Sequence, residues 1–289
     1  MNVHLIDGTY ELFRHFYALP SRLDTEGKEV GALVGVVRSV ASMIRGGATH
    51  LGVATDHTVE SFRNEMYKGY KTGEGIDPDL WGQFHPLEDA LRAIGVVVWP
   101  MVDQEADDAL AAAAIKAGAD TTVERVFICT PDKDLAQCVR GDSIVQLDRR
   151  RGITRNESGV QEKFGVLPGS IPDYLGLVGD AADGFPGIPK WGAKSASTVL
   201  AQYGKLEKIP KDEADWTVRL RGAAGLAVSL RNNWLDALLF RDIATLRTDA
   251  DVFSNVDELR WRGPADDLPR VCERLGVPEL VDEVARLLQ

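Results

Sequence analysis

The chain has 289 residues, 44% hydrophobic and 27% charged, enough for one large domain or two ordinary ones with real cores. No apolar run approaches the ~20 residues of a membrane span, MNVHLIDGTY lacks the features of a secretory signal, and Cys129, Cys138 and Cys272 without CxxC spacing argue against disulfides and a zinc cluster. A net charge of −11 argues against a general nucleic-acid binder, although bound cations and local basic patches would offset it.

In chain order, Val3 to Ile6 reads as a short apolar strand and Val30 to Ile44 as a helix of small and apolar residues. Leu51 to Ala54 and Gly95 to Trp99 read as further strands. Ala106 to Ala117 is an Ala-rich helix, followed by strands at Val126 to Cys129 and Ile144 to Leu147. Short apolar strands separated by helices predict a mainly parallel α/β sheet with helices on both faces. Ligands of such sheets bind beyond the carboxyl ends of the strands. From Asp56 to Phe84 the chain is polar and too long for a plain connection, so a partly helical excursion over the active edge is expected there. After Phe164 short helical pieces alternate with Gly and Pro. Ala223 to Leu230, Trp234 to Phe240 and Leu280 to Leu288 predict a small α-helical second domain. The expected division is 1–165 and 166–289.

Nine acidic residues fall in five clusters, most of them closing a strand. They are Asp7 in HLIDG, Asp56 in GVATD, Glu105, Asp107 and Asp108 in QEADD, Asp132 and Asp134 in TPDKD, and Asp180 and Asp183 in GDAADG. Singly, each has an ordinary explanation as a turn or as a helix cap. Jointly, three strand ends and a helix start can face one crevice. Carboxylates brought together without a cation repel and shift one another's pKa. Two divalent ions about 4 Å apart can activate water and clamp a phosphate, which points to phosphodiester hydrolysis.

The order of motifs resembles the 5′-nuclease superfamily: flap endonucleases and the 5′–3′ exonuclease domain of bacterial DNA polymerase I. The likeness runs from about Val3 to Tyr203. It is carried by LIDGTYELFRHFYALP, SFRNEMYKGYK, QEADD, TPDKD and GDAADGFPGIPKWGAKSA in that order. The resemblance implies a PIN-like α/β nuclease domain with a helical arch at about 57–85, then a helix–hairpin–helix variant. It implies that Asp7, Asp56, Glu105, Asp107 and Asp108 serve a first metal site, and Asp132, Asp134, Asp180 and Asp183 a second. The implied ions are magnesium or manganese, with a potassium ion at the hairpin.

By the same resemblance Lys71 holds the scissile phosphate, and Arg63 contacts DNA or supports the arch. Lys133 balances charge or touches a phosphate. Gly187, Lys190, Gly192 and Lys194 would grip DNA through the hairpin, with Arg14 as a further contact or a surface cation. The run Arg149 to Arg151 reads as a turn, solvated or in contact with DNA. Three positions depart from the family pattern: Gly184 stands for an Asn, Lys190 for a hairpin Gly, and Glu74 for an arch Arg. A positive φ at Lys190 would strain it and puts potassium binding in question.

The expectation is a stand-alone structure-selective 5′ nuclease, since 289 residues leave no room for a polymerase. It would be a monomer in a bacterial cytoplasm, associated with the nucleoid. Its substrates would be DNA with 5′ ends, flaps or junctions, in repair or primer removal. The alternatives are a PIN-type ribonuclease, separable by comparing DNA flaps with single-stranded RNA, and a non-catalytic branched-DNA binder, separable by metal-dependent turnover.

Overall fold

The computed structural model describes residues 1–288. In chain order the regular elements are β1 (Asn2–Asp7), α1 (Gly8–Phe16), α2 (Gly31–Arg45), β2 (His50–Asp56), α3 (Phe62–Met66), α4 (Pro78–Trp81) and α5 (Phe84–Ala93). They continue with β3 (Val97–Met101), α6 (Ala106–Gly118), β4 (Arg125–Cys129), β5 (Ile144–Asp148), β6 (Ile153–Arg155) and α7 (Glu157–Phe164). The remainder is helical: α8 (Ile171–Val178), α9 (Ala193–Tyr203), α10 (Ala223–Asn232), α11 (Trp234–Ala244), α12 (Leu268–Arg274) and α13 (Glu279–Ala285). Two compact units result, one of residues 1–59, 73–130 and 247–288, the other of residues 60–72 and 131–246. None of the described helices is long and apolar enough to cross a membrane.

The first unit is built on parallel strands in the order β3-β2-β1-β4. Val3, Leu5 and Ile6 are fully buried on both faces of β1, as an internal parallel strand requires. The α6 helix packs on all four strands. Its run of alanines lets the helix lie close to the sheet, and Ala109, Ala111 and Ala113 are fully buried. Because the strands are parallel, Asp7 and Asp56 both come to the carboxyl edge, with Asp7 in register with Ala54.

The last residues were expected in the helical domain, but 247–288 pack with the first unit. Trp99 Nε1 donates to the Val252 carbonyl at 2.6 Å, and Trp261 Nε1 donates to the Ile94 carbonyl at 2.7 Å. Arg38 pairs with Glu279 at 2.8 Å. These contacts join positions more than 150 residues apart, and nothing local in the sequence encodes them.

The second unit combines an antiparallel hairpin, β5-β6, with α3 and α7 to α11. The β6 strand is short and largely exposed, and it escapes notice in sequence because Ile153–Arg155 carries no apolar run. The Arg149 to Arg151 run lies in the connecting turn, as expected. The core gathers Leu177, Phe185, Ile188, Trp191, Leu226 and Phe240. Tyr67 packs edge-on against Phe240 at 5.4 Å, and Tyr70 is 4% exposed in the same core. The segment carrying Lys71 is thereby anchored.

Arg63, one of the largest fully buried side chains, is 1% exposed. Its Nε donates to the Ile243 carbonyl at 2.8 Å, and its guanidinium lies 4.6 Å from the Phe62 ring. Ile243 is in the last turn of α11, where orphan carbonyls favour a cation. Of the two roles expected for Arg63, DNA contact or support of the arch, its burial against α11 fits the second. Arg63→Met should therefore cost about 2–3 kcal/mol of stability in urea unfolding, because it orphans a buried carbonyl. An unchanged midpoint would contradict the structural role.

Candidate functional site

The acidic residues form one group in each unit. In the first unit the sheet edge and the start of α6 supply the group. Asp7 caps α1, accepting from Tyr10 N at 2.8 Å and from Thr130 Oγ1 at 3.1 Å. Asp56 Oδ1 accepts from Ala106 N at 2.8 Å, and Asp56 N donates to Thr9 Oγ1 at 2.8 Å. Asp108 is fully buried, and both of its oxygens are engaged by backbone N–H groups, Glu105 at 3.0 Å and Arg247 at 2.8 Å. Its role is that of a helix cap tying two segments together. Glu105 is 3% exposed and Asp107 half-buried. Thr130, which donates to the Asp7 carboxylate, and Thr9, which holds the Asp56 backbone, were not singled out from sequence. Their place beside the acids in IDGT and TPD was the available signal.

In the second unit, Asp134, Asp180 and Asp183 each bring an oxygen within 4.8 Å of the others. Asp134 starts a short 3₁₀ turn, and Asp132, exposed beside it, accepts from Asp134 N at 3.0 Å. Asp180 and Asp183 sit on one tight loop. Asp180 and Phe185 exchange backbone hydrogen bonds at 2.8 and 3.1 Å. Gly179 and Gly187, both at positive φ, cross so closely that a Cβ on Gly187 would lie 2.4 Å from Gly179 N. No residue with a side chain fits that crossing, so the carboxylate loop and the hairpin are locked together.

Two lysines face this group. Lys71 Nζ pairs with Asp183 Oδ1 at 3.0 Å, and Lys71 N donates to the Asp183 carbonyl at 2.9 Å. Asn64 Nδ2 holds the Lys71 carbonyl at 2.9 Å. Gly184, one of the departures noted above, has φ 84, and a Cβ there would lie 2.3 Å from the Gly69 carbonyl oxygen. Gly184 thus permits the close approach that seats Lys71. Lys133 Nζ pairs with Asp180 Oδ2 at 2.6 Å.

Burial raises the Asp134 carboxyl well above the usual range, and Asp132, Asp183 and Asp180 raise it further. Burial also raises Asp183, against the pull of Lys71. Burial works against the Lys133 ammonium, yet the Asp180 bond and the surrounding carboxylates raise its pKa overall. Asp134 Oδ1 is buried without a hydrogen-bond partner. An orphaned buried carboxylate oxygen beside two more carboxylates is the donor set a hard divalent cation takes. These residues fit such an ion.

The remaining expected residues divide. Arg14 forms an ion pair with buried Glu11 within α1. Lys190 is the only non-glycine residue at positive φ among those described, with φ 71. Gly187 is buried at the hairpin, and Gly192 and Lys194 are exposed at the start of α9. Glu74 is exposed.

The chain matches the model of the 5′-3′ exonuclease N-terminal resolvase-like domain over residues 2–165 and that of the 5′-3′ exonuclease C-terminal SAM fold over 166–267. It is 35% identical over 266 residues to DNA polymerase I of Pseudomonas aeruginosa, covering 88% of this chain but only 28% of that protein's length. It is 30% identical to a 5′-3′ exonuclease of Buchnera aphidicola, covering 86% of this chain and 88% of the relative. A bacteriophage T5 flap endonuclease, solved as a pseudo-enzyme-product complex with DNA and metal ions, has the same fold at a TM-score of 0.65 and 16% identity, with 100% of this chain and 98% of that one covered. The expected α/β sheet with a helical part after it is the fold found. With both family models matched in sequence across most of its length, the chain belongs to the 5′–3′ exonuclease family.

Proposed function

We propose that the chain is a divalent-metal-dependent, structure-selective 5′ nuclease that hydrolyses DNA phosphodiesters by two-metal catalysis. The observation that carries this reading is the buried Asp134 oxygen with no partner, beside Asp180 and Asp183. Magnesium or manganese, bound by these carboxylates and by the Asp7, Asp56, Glu105 and Asp107 group, would supply an activated water and stabilise charge on the phosphate. Lys71, held at both its N–H and its carbonyl, is ready to move its ammonium from Asp183 to a phosphate oxygen. Lys133 balances the charge of Asp180. Asp108 positions the start of α6. Arg14, which is spent on Glu11, is left out of DNA binding.

In this reading, residues 1–165 together with the Asp180–Asp183 loop carry the chemistry, and the helical part around the hairpin holds DNA with a 5′ end, flap or junction. The proposed setting is repair or primer removal by a cytoplasmic monomer at the nucleoid. At the hairpin, Lys190 at positive φ stands where the family pattern has a glycine, so no potassium ion is part of this reading. The family relationship to 5′–3′ exonucleases favours DNA over RNA as substrate.

Asp134→Asn should lower cleavage of a 5′-labelled flap DNA about 100-fold or more in magnesium or manganese. The same change should raise the melting temperature of the metal-free protein. A carboxyl whose folded pKa is raised gives stability present below its unfolded pKa and lost as pH rises through the folded value. Above the unfolded pKa the carboxyl therefore costs stability that Asn restores. Magnesium should raise the parent's melting temperature more than the variant's; equal shifts would remove Asp134 from the ion site. Lys71→Ala should lower kcat about 100-fold, in the range of a lost charge-stabilising donor. Exchanging potassium for sodium at constant ionic strength should leave flap binding unchanged, and a clear potassium preference would reinstate an ion at the hairpin.

A further inference from the structure

A cleft of about 860 Å³ opens in the second unit, and the residues around it are chemically one-sided. It is lined by Lys190 and Lys194 from the hairpin side, and by Arg219 and Arg221 from the loop that precedes α10. No carboxylate lines it, although the chain as a whole has a net charge of −11. Among the described residues none of these four side chains is ion-paired, whereas Lys71, Lys133, Lys205 and Arg241 all are. The cations in the cleft are therefore not committed to holding the fold.

Two helices begin at this cleft. Gly192 is the N-cap of α9 and Gly222 the N-cap of α10, and both border the opening. Neither cap has a side-chain oxygen that accepts from the first-turn N–H groups. Two positive helix ends and four cations thus share one open surface. Lys190 reaches across it: a Cβ on Gly225, in the first turn of α10, would lie 3.7 Å from Lys190 Nζ. The strained backbone of Lys190, with φ 71, aims that side chain over the second helix.

We propose that Arg219 and Arg221 are DNA-positioning residues, which complete with Lys190 and Lys194 a clamp for the backbone phosphates of duplex DNA. This rests on the nuclease reading above. The occupant follows from the chemistry. Charge of one sign spread over an open cleft, with guanidiniums able to grip phosphates bidentately, suits a polyanion with repeated phosphates rather than a single small anion. The link to the site is covalent and short. Asp180, Asp183 and Lys190 belong to one locked loop, so a phosphate held at Lys190 stands at a fixed offset from the carboxylates. Arg219 and Arg221, on the opposite wall, fix the angle at which the duplex leaves. They would act through where the DNA lies and not on the reacting phosphate.

The test is a salt titration of duplex binding, read by fluorescence anisotropy in EDTA so that no cutting intervenes. The parent, the Arg219→Ala/Arg221→Ala double variant and a Lys208→Ala control are compared on a blunt duplex and on a single strand of equal length. Each lost phosphate contact should flatten the log–log salt slope by about 0.9 for duplex DNA. The double variant should therefore lose between one and two such increments on duplex and less on the single strand, and its KM for duplex-bearing flap DNA should rise several-fold. A slope and KM matching those of Lys208→Ala would overturn the proposal. Tighter, arginine-dependent binding of duplex RNA would overturn the choice of DNA. Because the slope is read without catalysis, a parent that binds duplex through these arginines but cuts nothing would sink the nuclease reading and leave the clamp standing.

Discussion

The second unit is organised around a repulsion. Asp134, Asp180 and Asp183 hold oxygens within 4.8 Å of one another in a largely buried place. Two full charges at that separation repel by about 3 kcal/mol at an effective dielectric near 20. The fold meets this cost in two ways. Lys71 and Lys133 each neutralise one carboxylate. Asp134 has no hydrogen-bonded cation, and its carboxyl is driven toward the protonated form instead. The backbone around the cluster prevents it from relaxing. The Gly179–Gly187 crossing, the Gly184 approach to Gly69, and the Phe185 side chain buried in the core leave the loop no room to splay.

The acids of the first unit behave differently because most of their oxygens serve the backbone. Asp7 caps α1, Asp56 holds the start of α6, and Asp108 spends both oxygens on N–H groups. A carboxylate that accepts from an N–H keeps further lone pairs, so capping and metal binding are compatible for Asp7 and Asp56. For Asp108 the fully buried, doubly bonded geometry makes support the dominant role. The ordinary helix-cap explanation of QEADD is therefore right for one of its acids while leaving Glu105 and Asp107 open to other work.

Much of the fold was legible because it is written in local periodicity. The strands at Val3, Leu51, Val126 and Ile144 and the helices at Val30, Ala106, Ala223 and Trp234 lie within a few residues of where the apolar pattern puts them. Lys190 was legible for a different reason: a hairpin that needs positive φ strains any side chain there, and φ is 71. What was not legible depends on distant partners. Nothing near Arg63 announces that it will cap α11 from within, since its acceptors are some 180 positions away. Trp99 and Trp261 likewise gain meaning only when residues 247–288 return to the first unit. Arg219 and Arg221 were passed over because two arginines in a polar loop look like any solvated surface.

That last case bears on how a chain of net charge −11 can work on a polyanion. The excess negative charge is partly held where it is useful, in the carboxylate groups that fit divalent cations, and each bound ion would cancel two charges there. The positive side chains then separate into two populations. Lys71, Lys133, Arg63 and Arg241 are engaged with carboxylates or carbonyls and fix local geometry. Lys190, Lys194, Arg219 and Arg221 remain unpaired around one cleft. Affinity for phosphates is set by the local field and falls off within a Debye length of about 8–10 Å at ordinary salt. In the proposed reading, a concentrated patch of four cations and two helix ends would attract DNA despite the chain's negative net charge. On that reading the negative charge elsewhere would disfavour other binding orientations, and so add selectivity to the contact.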